Sequence, residues 1–531
     1  VRIGSNAVRG TRLVAGLTST PRRAWLTTFV LVTSLCAVWA LSQPVFAGPD
    51  EPAHVVRADG IAHGELIGSE PGGRVPRALR RVDDDVRIVR APQIYGSVVV
   101  PCFAHQRDLL APCLRFSGPT TDADVASYES LQPPAYYAVV GLTSWLSTPG
   151  TRTVYVMRLV SAVLTGALIA TAFAAVRRSA APRLLGTGVV LAVTPMVLFL
   201  GGVVGPAGTE IAAAIAFWVC GLVLLSRAPD RVESSLITGA GIAGCVLALS
   251  RPLGPLWIGL IALTLAGATN RTTLRTITRS GRARVWAALV VAAMAVQVAW
   301  NVIVGPSDAT LTGHAATKLS TLSQLGDALG ATYGWYREMI GSFGWNETLA
   351  PALTWVPWTA ALGFLFFAAL AWVAGRYAGV LLALITAVII VPIVLELTPY
   401  HVEGGVWLGS TTLPLAVGVP ILAAHALTTA ARGRELLASR FVLAVGVVAA
   451  VGQFLAFAAN LRRYTVGGTR DLLYWLHAQW DPPLPALVLT VGYAALLFAF
   501  LACVLGGDGR RADGSERRTP AFGAERALDK A

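Results

Sequence analysis

Asp50 and Glu51 stand side by side in the stretch Gly48-Pro49-Asp50-Glu51-Pro52-Ala53-His54, with a histidine one helical turn further on. Carboxylates so placed can take a proton from a hydroxyl or, with the imidazole, hold a divalent ion. If residues 50–66 are helical, Asp50, His54 and Arg57 share one stripe and Glu51 lies beside them. A helix start explains part of this pattern, with Asp50 as N-cap and Pro52 in the first turn. A cap needs one carboxylate, however, and asks for neither Glu51 nor His54.

The elements that must position these groups are membrane spans. Of 531 residues, 55% are hydrophobic and 13% are charged, which describes an all-α polytopic membrane protein and excludes a soluble enzyme. Twelve spans are predicted: 24–45, 153–176, 183–204, 208–226, 235–250, 253–268, 284–304, 354–374, 377–397, 407–430, 440–460 and 484–505. With the N-terminus inside, the inner segments hold 25 of the 42 basic residues but only 8 of the 29 acidic ones. The net charge of +13 is therefore an orientation signal, and nucleic acid is not among the expected partners. The first apolar run is flanked like a signal peptide, yet it is long enough to span and is read as retained. The expected arrangement is a multi-pass protein of the cell membrane with both termini cytoplasmic. It has a basic tail at 1–23, a membrane domain at 24–505 and a disordered tail at 506–531.

In that topology Asp50 and Glu51 emerge on the outer face, at the start of a long loop, 46–152. Such a loop is too long for a connector and should carry helices lying at the membrane surface. Cys102 and Cys113 fall in it and pair as a structural disulfide in an oxidising compartment. Gln132-Pro133-Pro134-Ala135-Tyr136-Tyr137 leads into an apolar stretch, 135–146, too short to cross and read as a half-inserted interfacial helix. Three further charged residues come to the same face: Arg158 at the start of the second span, Glu210 after the Gly205-Pro206 turn, and Arg251 in Ser250-Arg251-Pro252. Each has an ordinary reading as an interfacial anchor. A second outer segment, 305–353, repeats Leu319, Leu322, Leu325, Leu329, Tyr333, Tyr336 and Ile340 at helical spacing. It reads as an amphipathic interfacial helix anchored by Trp335 and Trp345, with Lys318, Arg337 and Glu338 toward water or headgroups.

The motifs Pro49-Asp50-Glu51-Pro52-Ala53-His54 and Gln132-Pro133-Pro134-Ala135-Tyr136-Tyr137, with Arg158-Leu159-Val160-Ser161-Ala162 opening the next span, resemble a family of bacterial multi-pass membrane proteins. That family is known mainly as a domain of unknown function, and it is similar to the class C glycosyltransferases, which use polyprenyl-phosphate sugars outside the membrane. The resemblance implies a GT-C-like fold and an acid of the first outer loop acting in sugar transfer. One departure stands out: where the family often has Gly-Arg-Tyr-x-x-Pro, this chain has Leu408-Gly409-Ser410-Thr411-Thr412-Leu413-Pro414.

On this reading the sugar moves from a polyprenyl phosphate to a cell-envelope glycan or lipid, with inversion. Asp50 is the candidate base and Glu51 its alternate, while Arg158 and Arg251 hold the donor phosphate. His54 orients Asp50, or joins Asp50 and Glu51 around a divalent ion (Mg, Mn or Ca). Gln132, Tyr136, Tyr137 and Glu210 are further candidates. Two other classes fit the span count: a transporter or lipid flippase, and a non-catalytic envelope-assembly protein. The gathering of polar chemistry at one face favours the enzyme.

Overall fold

The computed structural model describes residues 20–72, 75–76, 79, 85–226, 233–305, 321–373, 375–397, 407–430, 435–468 and 471–506. Residues 1–19 and 507–531 of the two tails, Asp83, Asp84, Lys318, Leu319 and the turn at 400–405 lie outside them, while 21–23 of the expected first tail already belong to the helix Pro21–Leu41.

Among the described residues nine helices are long and apolar enough to cross a membrane, and each matches an expected span. The other three expected spans are shorter apolar helices: Pro182–Ala192, Ser234–Ser250 and Gly254–Ala268. The first of these departs most from expectation. Instead of one rod over 183–204, the chain stops at Ala192 and restarts as Pro195–Leu200. Pro195 favours the break, because its ring disfavours a helical backbone at the residue before it and it has no N–H to give. The carbonyl of Val193 freed at the break accepts a hydrogen bond from the Gln453 amide (2.8 Å), and the Thr194 hydroxyl donates to Met339 (2.8 Å). Broken backbone inside a bundle survives only with such partners.

The Pro21–Leu41 helix packs most extensively against Thr151–Val176, and close approach of their backbones rests on small residues. A β-carbon at Gly166 would come within 2.1 Å of the Thr33 hydroxyl. The chain between these two spans folds onto one end of the bundle. It contains the Glu51–Ala62 helix, an antiparallel pair of strands (Arg87–Pro92 with Asp122–Ser127) and the Pro134–Gly141 helix. Arg87 faces Ser127 across that ladder and Pro92 faces Asp122. The Ser127 hydroxyl then ties the second strand to the carbonyl of Ala53 (3.1 Å). A disulfide links Cys102 to Cys113.

Residues 135–146 form a short helix and a 3₁₀ turn, Leu142–Trp145. Tyr136, Tyr137 and Val140 are buried, while Leu142, Trp145 and Leu146 are exposed. Gly141 lets the helix lie directly on its neighbour, since a β-carbon there would sit 2.1 Å from the carbonyl oxygen of Ala58.

The second long loop corrects a sequence expectation. Thr321–Ile340 is indeed a helix, but only part of the expected stripe, Leu325, Tyr336 and Ile340, packs against the bundle. Leu322, Leu329 and Tyr333 of the stripe point outward, and Ala328 and Trp335 join Ile340 in the buried face. Trp345 is no interfacial anchor either: it is fully buried, and its indole N–H donates to the carbonyl of Phe46 (3.0 Å).

Candidate active site

The Glu51–Ala62 helix begins in an unusual way. Asp50 occupies the N-cap position but adopts a left-handed backbone (φ 55°) and makes no side-chain cap hydrogen bond. That conformation costs a non-glycine residue about 1 kcal/mol. It turns the carboxylate away from the helix and toward Tyr128, whose hydroxyl donates to Oδ1 (2.7 Å). The ordinary cap reading of Asp50 therefore fails.

Glu51, the next residue, turns roughly 100° away around the helix axis and meets Arg158. Nε of Arg158 donates to Oε1 (2.7 Å) and Nη2 to Oε2 (2.6 Å), a two-pronged ion pair with both side chains wholly buried. Glu51 also accepts from the backbone N–H of Gly48 (3.2 Å) and of Val204 (2.9 Å). The remaining guanidinium protons go to the carbonyls of Ala40, Gln43 and Pro44. Every donor of Arg158 and both oxygens of Glu51 are thus engaged. This corrects three expectations together. Glu51 is not placed as an alternate base, Arg158 has no donor left for a phosphate, and Glu51 has both oxygens engaged away from Asp50 and His54, with which it was expected to share a metal ion. No group of three His, Cys, Asp or Glu suited to a metal occurs among the described residues.

Asp50 and His54, by contrast, border a cavity of about 90 Å³ between the first loop and the bundle. Glu129, Gln132 and Arg251 line it with them, and Glu338 lines the wall formed by the second loop. Burial pushes the Asp50 carboxyl up to about 6, against the smaller opposing pulls of the Tyr128 hydroxyl and the Arg251 charge. Burial, helped by Arg251, also drives the His54 imidazole down to about 3, so it is neutral at physiological pH. His54 does not orient Asp50 as expected; its Nδ1 lies 2.9 Å from the Tyr137 hydroxyl and 3.7 Å from Glu129 Oε2.

Of the stripe expected on this helix, Asp50 turns away, while His54 and Arg57 both meet Tyr137. Arg57 lies over the Tyr137 ring (5.8 Å to its centroid) and donates to the carbonyls of Leu66 and Gln132 (both 2.6 Å). It thereby fixes the Gln132-Pro133-Pro134 turn against the helix. Burial lowers the Arg57 guanidinium to about 10. Tyr136 takes another direction, sharing a hydrogen bond with Ser161 (2.6 Å) and accepting from the Gly205 N–H (2.8 Å). It braces the Gly205-Pro206-Ala207 turn that forms part of the cavity wall. Glu210 sits just behind this wall, 3.8 Å from the Arg251 guanidinium, and does not itself line the cavity.

One lining carboxylate, Glu129, was not singled out from the sequence, and another, Glu338, was expected to face water or headgroups. Glu129 could have been found by its place in Ser127-Tyr128-Glu129-Ser130-Leu131-Gln132, a polar run that is buried almost throughout. Glu338 accepts from the Gly409 N–H (2.7 Å) and the Asn346 amide (3.0 Å), and burial raises its carboxyl. Gly409 belongs to the stretch Leu408-Gly409-Ser410, so Glu338 ties the second loop to it.

The model for the family described as "predicted membrane protein (DUF2142)" matches residues 34–404, about seven-tenths of the chain. The chain belongs to that family. The matched range holds Asp50, His54, Glu129, Arg251 and Glu338. Crystal structures of ArnT from Cupriavidus metallidurans are similar in overall course. The apo state gives a TM-score of 0.43 at 16% identity, covering 91% of this chain and 76% of ArnT. The form bound to undecaprenyl phosphate gives 0.41 at 15%, with coverage of 91% and 77%. No curated protein matches the sequence.

Proposed function

We propose that this protein is a membrane glycosyltransferase that moves a sugar from a polyprenyl phosphate to a hydroxyl of a cell-envelope acceptor at the outer face. The observation that carries the reading is Asp50: a buried carboxylate aimed into a cavity, titrating near 6, with one oxygen held by Tyr128. A base poised near the working pH is ionised often enough to act and basic enough to accept a proton. Its other oxygen takes the acceptor proton as the acceptor oxygen bonds to the anomeric carbon. The bond from that carbon to the phosphate oxygen breaks with its electron pair, leaving polyprenyl phosphate and an inverted centre. Arg251 supplies the positive charge nearest the cavity and stabilises the departing anion. The donor class follows from the motif resemblance.

The test is the substitution Asp50→Asn in cells that depend on the protein. Loss of one envelope glycan and accumulation of a lipid-linked sugar, at unchanged protein level, are expected. Unchanged glycans in cells making normal amounts of the variant overturn the reading, and loss of uptake of a solute points to a transporter.

A further inference from the structure

We infer that Tyr137 is a positioning residue that fixes His54 in one tautomer, so that the imidazole presents an Nε2–H donor to an oxygen of the substrate. The Tyr137 hydroxyl is fully buried and has one hydrogen-bond partner among the described residues, Nδ1 of His54 at 2.9 Å. The phenolic proton must point at that nitrogen or go unbonded inside the protein, and an unmade buried hydrogen bond is the costlier state. Nδ1 therefore accepts, and a neutral imidazole that accepts at Nδ1 carries its proton on Nε2. The carboxylate nearest Nδ1, Glu129 Oε2, is 3.7 Å away and too far to claim the position for a donor.

The opposite edge of the ring faces the cavity. A β-carbon on Gly205 would stand 3.3 Å from Cδ2 and 3.5 Å from Nε2, which places that edge against the Gly205-Pro206-Ala207 wall. Nε2 has no hydrogen-bond partner among the described residues, whereas Nδ1 is occupied. Glycine at 205 keeps the approach to Nε2 open. The Arg57 guanidinium over the Tyr137 ring holds the phenol in place from behind. His54 thus offers a fixed neutral donor beside the Asp50 acceptor, an arrangement suited to a substrate that gives a proton on one side and takes a hydrogen bond on the other. The nature of that substrate rests on the glycosyltransferase reading; the tautomer does not.

The experiment uses the full chain labelled with ¹⁵N-histidine and reconstituted in lipid nanodiscs at pH 7, with His54→Gln identifying the resonances of His54 among the seven histidines. The expected wild-type spectrum shows His54 with Nε2 protonated and Nδ1 unprotonated. In Tyr137→Phe, which keeps the ring under Arg57, that signature shifts toward a tautomer mixture. Production of the sugar product in cells falls about tenfold, the effect of one lost orienting hydrogen bond. A wild-type spectrum with the proton on Nδ1, or a Tyr137→Phe spectrum identical to wild type, overturns the inference. So does full glycan production in both His54→Gln and Tyr137→Phe when Asp50→Asn abolishes it. If Asp50→Asn also leaves glycans intact while the spectra are as expected, the functional reading fails and the tautomer assignment stands.

Discussion

Glu51 and Asp50 are adjacent acids with opposite duties, and the substitution Glu51→Gln separates them. The carboxylate of Glu51 accepts four hydrogen bonds, two from Arg158 and two from backbone N–H groups, in a site with no exposure. An amide keeps one accepting oxygen and turns an NH₂ toward two of those donors. It also leaves a buried guanidinium without its counter-charge. Breaking such a pair by removing one partner costs about 3–5 kcal/mol. With ~2.1 cal/mol/K per residue over 531 residues, the unfolding entropy is about 1.1 kcal/mol/K, so Tm should fall by about 3–5 °C. Asp50→Asn should behave differently. The folded-state carboxyl of Asp50 lies near 6, above the ordinary 3.8, so its proton-bound form favours the fold. That contribution is complete below 3.8 and lost as pH rises through 6, and at pH 7 a neutral amide should not lower Tm. The assay is thermal unfolding of both variants in the same detergent, read by intrinsic tryptophan fluorescence. A Glu51→Gln protein as stable as wild type, or one less stable only in proportion to Asp50→Asn, refutes the division of roles.

Other consequences follow from single contacts. Arg251→Met removes the positive charge that lowers the Asp50 carboxyl, so the acid limb of the pH–activity curve should move to higher pH, as an initial-rate series would show. Replacing Cys102 and Cys113 by Ser opens a loop whose carbonyls at Phe103, Gln106 and Leu109 all receive hydrogen bonds from Arg463. A loss of about 3 kcal/mol and faster proteolysis between the two positions are expected, and an unchanged cleavage rate would count against the staple. Gly141→Ala drives a methyl into the Ala58 carbonyl, so the expected outcome is poor expression or a Tm several degrees lower; normal yield and Tm would contradict that packing.

Much of the fold could be read from hydropathy and charge alone, because a span announces itself locally: about twenty apolar residues satisfy their own backbone groups. The broken helix at Pro195 escaped that reading because its stability depends on Gln453 and Met339, both far along the chain. The site was legible in outline for a similar reason. Asp50, His54, Gln132 and Arg251 were named from local motifs and all border the cavity. What the motifs could not tell was partnership. Arg158 was weighed as a snorkelling anchor or a phosphate ligand, yet its counter-charge lay 107 positions away, next to the residue of interest. Glu51 and Asp50 looked interchangeable as adjacent acids, but one step along a helix rotates a side chain by about 100°, and that rotation divides a fold-holding ion pair from a group facing a cavity. The stripe of Thr321–Ile340 was legible only in part, because in a membrane protein apolar residues such as Leu322 and Leu329 can face outward and only packing shows which side the protein takes.

The most direct measurement is the pH dependence of sugar transfer by the purified protein in lipid vesicles, using a radiolabelled polyprenyl-phosphate sugar extracted from the cells that accumulate it. With Asp50 as base, the wild-type rate should climb about tenfold per pH unit from below and level off above about 6, with no further limb from His54, and Asp50→Asn should stay at background throughout. A wild-type rate that is flat from pH 5 to 8, or an Asn variant that transfers with the wild-type profile, would contradict it.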